Sequence, residues 1–208
     1  MSITLLIVVL TAITSIAAFN NPPFREQLLH IPYLVSTRKE YYRLLSSGFI
    51  HANWMHLIVN MWVLYMFGTQ VEYTYKSLFG VWGNLYYVGL YLLGLLASSL
   101  PVQWKEQNNV AYRALGASGA VSAVVFAAIL FSPTSNLYLF PFPFPIPAFI
   151  FGALYIFYEY YSARQNRYDG IGHDAHFYGA VFGFLFTLAL EPSLFPYFIE
   201  QIRGYIGF

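Results

Sequence analysis

Five long stretches of this chain contain no charged side chain, and their lengths indicate membrane-spanning helices. They cover residues 1–24, 44–71, 77–104, 114–158 and 175–190. A helix needs about 20 predominantly apolar residues to cross the hydrocarbon core of a bilayer. The fourth stretch is long enough for two helices, and the five prolines between residues 132 and 147 divide it, because proline disrupts a helix interior. The pattern predicts six helices, over about residues 2–20, 51–72, 80–100, 115–131, 147–164 and 174–191.

Composition leads to the same class of protein. Hydrophobic residues make up 58% of the 208 residues and charged residues 9%, whereas about 25% of the residues of a soluble domain are charged. This length suits a single domain, and we assign all of residues 1–208 to it. We interpret the first stretch as a retained span, because no basic segment precedes it as in a signal peptide. The expected fold is an all-α bundle in a lipid bilayer.

Charge and cysteine content exclude several functions. The formal net charge is +1 and no large Lys/Arg cluster occurs, so we expect no nucleic-acid partner. The chain has no Cys, which excludes disulfides, thiolate metal ligands and a cysteine nucleophile. Residues 21–50 mix apolar and basic side chains, a mixture that predicts a long first loop lying at the membrane interface. The sequence predicts no oligomeric state.

Polar side chains mark the starts of the second, fourth and sixth predicted helices. The second begins HANWMHLIVN, with His51, His56 and Asn60, while Ser118 opens the fourth and His176 the sixth. If successive helices alternate in direction, these three starts lie on the same side of the membrane. Polar groups inside a bilayer are costly and mark functional sites by default. The pattern therefore predicts one polar pocket near one membrane face.

A serine and a histidine in one pocket suit nucleophilic catalysis, since histidine is the usual base that activates serine. Ser118 lies near a helix N-terminus, where backbone N–H groups are free to bind a developing oxyanion. His51 and Asn60 can add neutral donors. No buried Asp or Glu is obvious as a third member, and Asp174, two residues before His176, faces away from it on a helix.

Glycines accompany both of these residues. Gly116 and Gly119 flank Ser118 in the sequence GASG, which lets a substrate backbone approach closely. Gly179 and Gly183 follow His176 with a spacing of four residues, which lets a second helix pack close to that face. We expect Gly116 to support the site, and Gly119, Gly179 and Gly183 to serve helix packing.

A second interpretation of the polar residues is a metal or haem site, since imidazoles suit Zn, Cu and Fe. Its ligands would be His51, His56, His173 and His176. That site would leave the GASG serine and Asn60 without a role. No His-Glu-x-x-His metalloprotease motif occurs. An aspartyl protease is excluded because the only aspartates, Asp169 and Asp174, border one loop. A small-molecule transporter has little support, as no internal repeat occurs.

The motifs resemble those of the rhomboid intramembrane serine proteases, specifically a bacterial-type six-span core. HANWMHLIVN matches their His-x4-His-x3-Asn pattern, GASG their Gly-x-Ser-Gly, and AHFYGAVFG their Ala-His-x2-Gly-x3-Gly. YYR at 41–43 looks like the family's Trp-Arg element, with Tyr42 in the place of Trp. GTQVE at 68–72 resembles the Gly…Glu end of the family's second span. The resemblance covers about residues 1–195.

The resemblance implies a serine endopeptidase that cuts peptide bonds in or near the transmembrane segments of membrane-protein substrates. Ser118 would be the nucleophile and His176 the general base. His51, Asn60 and the Ser118 backbone would form the oxyanion hole, with His56 supporting them. No cofactor and no metal are implied. The alternative within the family is an inactive relative that binds membrane proteins without cutting them.

Two further implications concern the surroundings of the site. Relatives often carry an aromatic residue that packs on the catalytic histidine, four residues after the nucleophile, where this chain has Ser122. We therefore expect His176 to be held less firmly, or another aromatic residue to replace it. The resemblance also implies a gate at the fifth helix and a mobile loop at 165–173.

Two arguments disagree on which side of the membrane the active site faces. The loops on the predicted active-site side carry most of the basic residues: Arg25, Arg38, Lys39, Arg43, Lys105, Arg113 and Arg167, with Arg164 at their edge. The other side has Lys76 and Arg203. The positive-inside rule places the basic side in the cytoplasm, whereas bacterial relatives usually face the active site outward. We follow the relatives and expect a multi-pass inner-membrane protein with an extracytoplasmic active site, since a folded first loop can hold basic residues for structural reasons.

Overall fold

The computed structural model describes residues 2–138, 144–165 and 170–207, and over these ranges it is predominantly helical. The helices are α1 (Ile3–Asn20), α2 (Pro22–Leu28), α3 (Pro32–Arg38), α4 (Arg43–Ser46), α5 (Trp54–Phe79), α6 (Gly83–Glu106), α7 (Ser118–Phe131), α8 (Ala148–Arg164), α9 (His173–Leu190) and α10 (Leu194–Ile206). Short 3-10 turns at Ser47–Phe49 and Gly80–Trp82 precede α5 and α6. Parts of two predicted connections, residues 139–143 and 166–169, lie outside the described residues.

Six long helices, α1 and α5 to α9, coincide with the six predicted stretches. By length and composition, two described stretches can cross a membrane, Ile3–Asn20 and Trp54–Glu106, the latter holding α5 and α6. A third qualifies if α9 and α10, which meet at an angle of 114°, count as one span. Helix α7 is apolar but, at 14 residues, shorter than these stretches. A predominantly helical fold is therefore observed in the described residues, and the count of six spans remains a prediction.

Helix α7 lies at the centre of the molecule. Every residue from Gly119 to Phe131 is buried, which is the pattern of a helix that is apolar on all sides. Helices α5, α6 and α9 pack around it. At the crossing with α9, a Cβ atom on Gly179 or Gly183 would collide with the α7 backbone at Gly119 and Ala123. This close crossing brings the first turn of α9 to the first turn of α7.

Helix α1 turns its small and hydroxyl side chains inward and its large apolar side chains outward. The buried face carries Thr4, Ile7, Thr11, Ser15 and Ala18. Leu, Ile and Val side chains occupy the exposed positions of this helix, as expected where the surrounding solvent is hydrocarbon. The Glu72 carboxylate of α5 accepts hydrogen bonds from the Ile3 and Thr4 N–H groups at 3.0 and 2.9 Å. It thereby satisfies orphan donors at the start of α1.

The first loop, residues 21–50, is built largely from short helices, which the sequence analysis did not predict. Arg43 is buried there and its Nη1 donates to the carbonyl oxygens of Glu26, Gln27 and Leu29 at 2.8, 2.8 and 2.9 Å. Backbone carbonyls that leave a helix need such partners. His30 pairs with Ala114 through two backbone hydrogen bonds of 3.0 Å. The loop is thus tied to the segment that leads into α7.

Two further elements, a small sheet before α8 and a helix after α9, were not predicted from the sequence. The proline-rich connector contains a two-stranded antiparallel sheet, β1 (Asn136–Tyr138) paired with β2 (Pro145–Pro147), with Leu137 opposite Ile146. After α9 the chain bends into α10, which packs against the core through Leu194 and Phe198 and exposes Phe195. Helix α10 was not predicted because Glu200 and Arg203 interrupt its apolar pattern.

Candidate functional site

The segment before α7 sets the position of Ser118. Gly116 has a φ of +119°, a conformation that residues with a Cβ atom rarely adopt. Its N–H donates to the Ser47 carbonyl at 2.9 Å, and the Ala117 N–H donates to His51 Nε2 at 3.4 Å. Helix α7 then begins at Ser118 itself. Backbone donors of such a first turn have no acceptor within their own helix.

Ser118 and His176 are in direct contact. The Ser118 Oγ and His176 Nε2 atoms lie 2.8 Å apart. The other ring nitrogen, His176 Nδ1, lies 3.0 Å from the Glu159 Oε1 atom. A carboxylate only accepts, so Nδ1 carries the proton and Nε2 accepts from the serine hydroxyl. This is the tautomer in which a histidine can take a proton from serine.

Glu159 is the residue that the sequence analysis missed. It lies on α8 and is 4% exposed. Its Oε1 atom accepts from His176 and its Oε2 atom lies 2.5 Å from His173 Nδ1. Asp174, also given no role from the sequence, instead pairs with Lys105 at 2.8 Å. A signal for Glu159 existed, because it lies inside the predicted helix 147–164 and a carboxylate at membrane depth requires partners.

The aromatic partner of His176 comes from α8. The rings of Tyr155 and His176 are stacked, with centroids 6.5 Å apart and an interplanar angle of 27°. Ser122 stands where relatives often carry the aromatic residue, and its Oγ bonds to the Tyr155 hydroxyl at 2.7 Å. A serine at 122 therefore leaves room for a tyrosine from the neighbouring helix, which is one of the two outcomes expected from the sequence.

His51 and His56 have different environments although their rings are only 4.9 Å apart. His51 is completely buried. Its Nδ1 lies 3.0 Å from Ser15 Oγ and its Nε2 accepts from the Ala117 N–H, so both nitrogens are engaged and Nε2 carries no proton. The expected oxyanion role of His51 is not favoured by this geometry.

His56 is the better placed donor. Its Nδ1 accepts from the Ala52 N–H at 3.5 Å, which leaves the proton on Nε2. A Cβ atom on Gly116 would lie 2.7 Å from His56 Cε1 and 3.0 Å from Nε2, so the ring lies directly over the glycine before the serine. Asn60, one turn further along α5, uses one amide N–H on the His56 carbonyl at 2.9 Å and has a second N–H. In this geometry the ring of His56, and not that of His51, has an Nε2–H that no described contact uses, and the roles of both histidines in an oxyanion hole stay predictions.

The four site histidines form two pairs, His51 with His56 and His173 with His176. Among the residues that the structure describes, no group of three or more His, Asp or Glu side chains has the geometry to hold a metal ion. His173 instead bonds to the carboxylate of Glu159. The arrangement does not favour the four-histidine metal or haem interpretation.

Comparison with known proteins agrees with the motifs. A family model described as "Rhomboid domain" matches residues 38–193. Rhomboid-related protein 1 of Caenorhabditis elegans is 27% identical over 175 residues, which are 81% of this chain and 45% of that protein. Rhomboid-like protein 11, chloroplastic, of Arabidopsis thaliana is 33% identical over 100 residues, 47% of this chain and 32% of that protein. The chain spans less than half the length of either relative.

The family match covers most of the chain and contains Ser118, Glu159 and His176. It also contains the tight α7–α9 crossing and the turn at Gly116. With its helical bundle, its apolar composition and its ordered motifs, this chain belongs to the rhomboid family.

Proposed function

We propose that the chain is an intramembrane serine endopeptidase that cuts membrane-protein substrates in or near their transmembrane segments. The observation that carries the proposal is the 2.8 Å contact between Ser118 Oγ and His176 Nε2 in a protein of this family. Serine is a weak nucleophile until a base takes its proton. In this contact the base has the correct tautomer to do so.

The proposed reaction is acyl transfer through a serine ester. Ser118 Oγ attacks the carbonyl carbon of the scissile bond as its proton passes to His176 Nε2. The carbonyl oxygen becomes an oxyanion, and the Ser118 N–H, the His56 Nε2–H and the free N–H of Asn60 stabilise it. His176 Nε2–H then protonates the departing amine. Water attacks the ester and passes a proton to His176 Nε2. That proton then returns to Ser118 Oγ as the ester bond breaks and the new carboxyl group leaves.

The proposed location is the inner membrane, with the site on the extracytoplasmic side. The basic residues on that side argue for the opposite orientation by the positive-inside rule. Several of them have partners within the protein: Arg43 with three carbonyls, Lys105 with Asp174, and Arg113 with Glu26. Those contacts provide a structural reason for their presence, which supports the family orientation.

The first experiment is labelling of the detergent-purified chain with a fluorophosphonate probe, with the adduct mapped by mass spectrometry. We expect labelling at Ser118 that is lost in Ser118→Ala and His176→Ala. Ser99→Ala is the matched control, because the Ser99 hydroxyl only bonds to a backbone carbonyl of Leu44 at 3.3 Å. It should label as the wild type does.

Peptidase activity is then measured in vesicles with a transmembrane peptide substrate. Wild-type protein should cut the peptide and Ser118→Ala should not. Cleavage by Ser118→Ala at the wild-type rate would refute the proposal. A folded wild-type protein that neither labels nor cuts would favour the inactive, substrate-binding relative.

A further inference from the structure

We propose that Glu159 is a positioning residue that extends the Ser118–His176 pair to a triad, and that α8 supplies it. The inference rests on the proposed function, because it concerns the same serine and histidine. The motifs of the family pointed to a dyad, and no motif in the sequence includes Glu159. The contacts of its carboxylate carry the inference.

Both oxygens of this carboxylate accept from a histidine. Oε1 lies 3.0 Å from His176 Nδ1 and Oε2 lies 2.5 Å from His173 Nδ1. His173 is 3% exposed and its ring meets the Tyr158 ring edge-on, with centroids 5.6 Å apart. His173 therefore fixes one oxygen of Glu159, and the carboxylate cannot rotate away from His176 without losing that bond.

If Glu159 only stabilised the fold, a single hydrogen bond between α8 and α9 would be enough. One hydrogen bond from Glu159 to His173 already joins α8 to α9. The second oxygen is directed at the histidine whose opposite nitrogen contacts Ser118. A buried carboxylate that only stabilises the fold has no need of that particular partner.

The chemical effect follows from the tautomer. The Glu159 oxygen keeps the His176 proton on Nδ1, so the Nε2 lone pair stays directed at the Ser118 hydroxyl. When the serine proton arrives at Nε2, the ring becomes an imidazolium next to a carboxylate, which stabilises the charge. Glu159 itself takes up no proton. The Tyr155 ring, one turn earlier on α8, stacks on the same imidazole and limits its tilt.

Replacement of Glu159 by Gln separates charge from shape. A Gln side chain has nearly the same volume but presents one oxygen and one NH₂ group. It can accept from one histidine only, so the Nδ1 of either His173 or His176 would face a donor. If the NH₂ group faces His176, that ring loses either the correct tautomer or its hydrogen bond. If the oxygen faces His176, the bond remains, but the negative charge is absent in both orientations.

The test measures fluorophosphonate labelling kinetics of the full chain in detergent, with the maximal rate and the half-saturating probe concentration determined separately. For Glu159→Gln we expect a maximal rate lower by a factor of about 10²–10⁴, with the half-saturating concentration nearly unchanged. Glu159→Asp keeps the charge but has a shorter side chain. Its maximal rate should lie between those of the wild type and Glu159→Gln, because a displacement of about 1 Å costs up to about 100-fold.

The matched control is Glu72→Gln, which changes a second buried glutamate in the same way. Glu72 is 3% exposed and bonds to Ile3, Thr4 and Lys76. That variant should unfold at a lower temperature but keep the wild-type maximal rate while folded. Thermal unfolding of every variant shows that rates are measured on folded protein.

The outcomes separate this inference from the proposed function. A folded Glu159→Gln variant with the wild-type maximal rate, alongside an unlabelled Ser118→Ala, would overturn the triad and leave the protease intact. Labelling of Ser118→Ala at the wild-type rate, with the adduct on another residue, would overturn the proposed function itself. If Glu159→Gln does not fold, Glu159→Asp decides, and a wild-type maximal rate in that variant would overturn the triad.

Discussion

Gly116 occupies a position that no other residue can fill without strain. Its φ of +119° is one that residues with a Cβ atom rarely adopt. A Cβ atom would also collide with the His56 ring, 2.7 Å from Cε1. The same residue donates its N–H to Ser47 of the first loop. One glycine therefore sets the turn before the proposed nucleophile and the space for the proposed oxyanion donor.

Gly116→Ala should destabilise the protein by about 1–3 kcal/mol, the usual cost of a strained backbone conformation, and reduce fluorophosphonate labelling as His56 is displaced. The control is Gly204→Ala on α10, where a Cβ atom meets nothing within 4 Å. That change should keep labelling and leave stability equal or raise it by up to about 1 kcal/mol. Thermal unfolding measures the stability of both variants, and fluorophosphonate labelling measures their reactivity. Equal stability and equal labelling rates in the two variants would contradict the role given to Gly116.

At the level of residues, the sequence predicted the contact between Ser118 and His176 because both stand at the starts of helices that run in the same direction. Glu159 lies 17 residues before His176, near the end of a helix that runs in the opposite direction. Only the packing of α8 against α9 brings it into contact. The roles of His51 and His56 depended on which nitrogen carries the proton, and sequence spacing holds no information on that.

Among the elements, the first loop is held by polar contacts together with a small apolar cluster that includes Leu29, Ile31 and Ile50. Buried His30 joins it to α6, since His30 Nε2 lies 2.9 Å from Gln103 Oε1. Gln103 in turn donates to the Pro32 carbonyl and the Ser36 hydroxyl at 3.0 and 2.9 Å. Burial lowers the pKa of His30 below its ordinary value of 6.5, and the nearby Arg43 charge lowers it further, against the bond to Gln103, which raises it.

This lowered pKa makes the loop sensitive to acid. As the pH falls through about 6.5, an unfolded chain binds a proton at His30 that the folded protein resists. The folded state should therefore lose stability between the ordinary and the lowered pKa, and hold it fully above the ordinary value. His30→Gln keeps a donor toward Gln103 without titrating, so it should reduce this acid loss. Thermal unfolding between pH 8 and pH 5 measures this loss of stability. An equal loss in the wild type and in His30→Gln would contradict the assignment of the acid sensitivity to His30.

The elements that could be predicted are those with a strong periodic or compositional signal. The six long helices follow directly from uncharged stretches. The short helices of residues 21–50 contain prolines and charges in nearly every turn, and tertiary contacts such as those of Arg43 hold them together. Helix α10 has charged residues on one face and aromatic residues on the other, so a search for uncharged runs does not find it.

On the scale of the whole molecule, α8 combines two tasks. The resemblance to rhomboids implies that this helix is the gate for substrates, which stays a prediction, and the structure gives it both Tyr155 and Glu159, which contact His176. Displacement of α8 from α9 would remove both contacts at once. Under the triad proposal, access of a substrate and activation of the serine therefore require different positions of one helix.

A tether between α8 and α9 tests this coupling, and the absence of Cys from the chain makes it simple. The Tyr160 and Phe177 rings lie 5.5 Å apart, so Tyr160→Cys with Phe177→Cys, joined by a short thiol cross-linker, holds the helices together. Fluorophosphonate labelling should stay within about twofold of the unlinked variant, and cleavage of a transmembrane peptide should fall, as for a lid that must open. Loss of labelling on cross-linking would contradict the coupling.

The complete enclosure of α7 has a consequence for the choice of cleavage site. Because protein surrounds every residue from Gly119 to Phe131, the depth of Ser118 is set by its neighbouring helices. The depth of a substrate helix is set by the thickness of the surrounding bilayer and by its own apolar length. Under the proposed function, a change in membrane thickness alters the depth of the substrate helix, so that a different peptide bond lies at the level of Ser118. The depth of Ser118 would then be constant, and the thickness of the membrane would decide which peptide bond is cut.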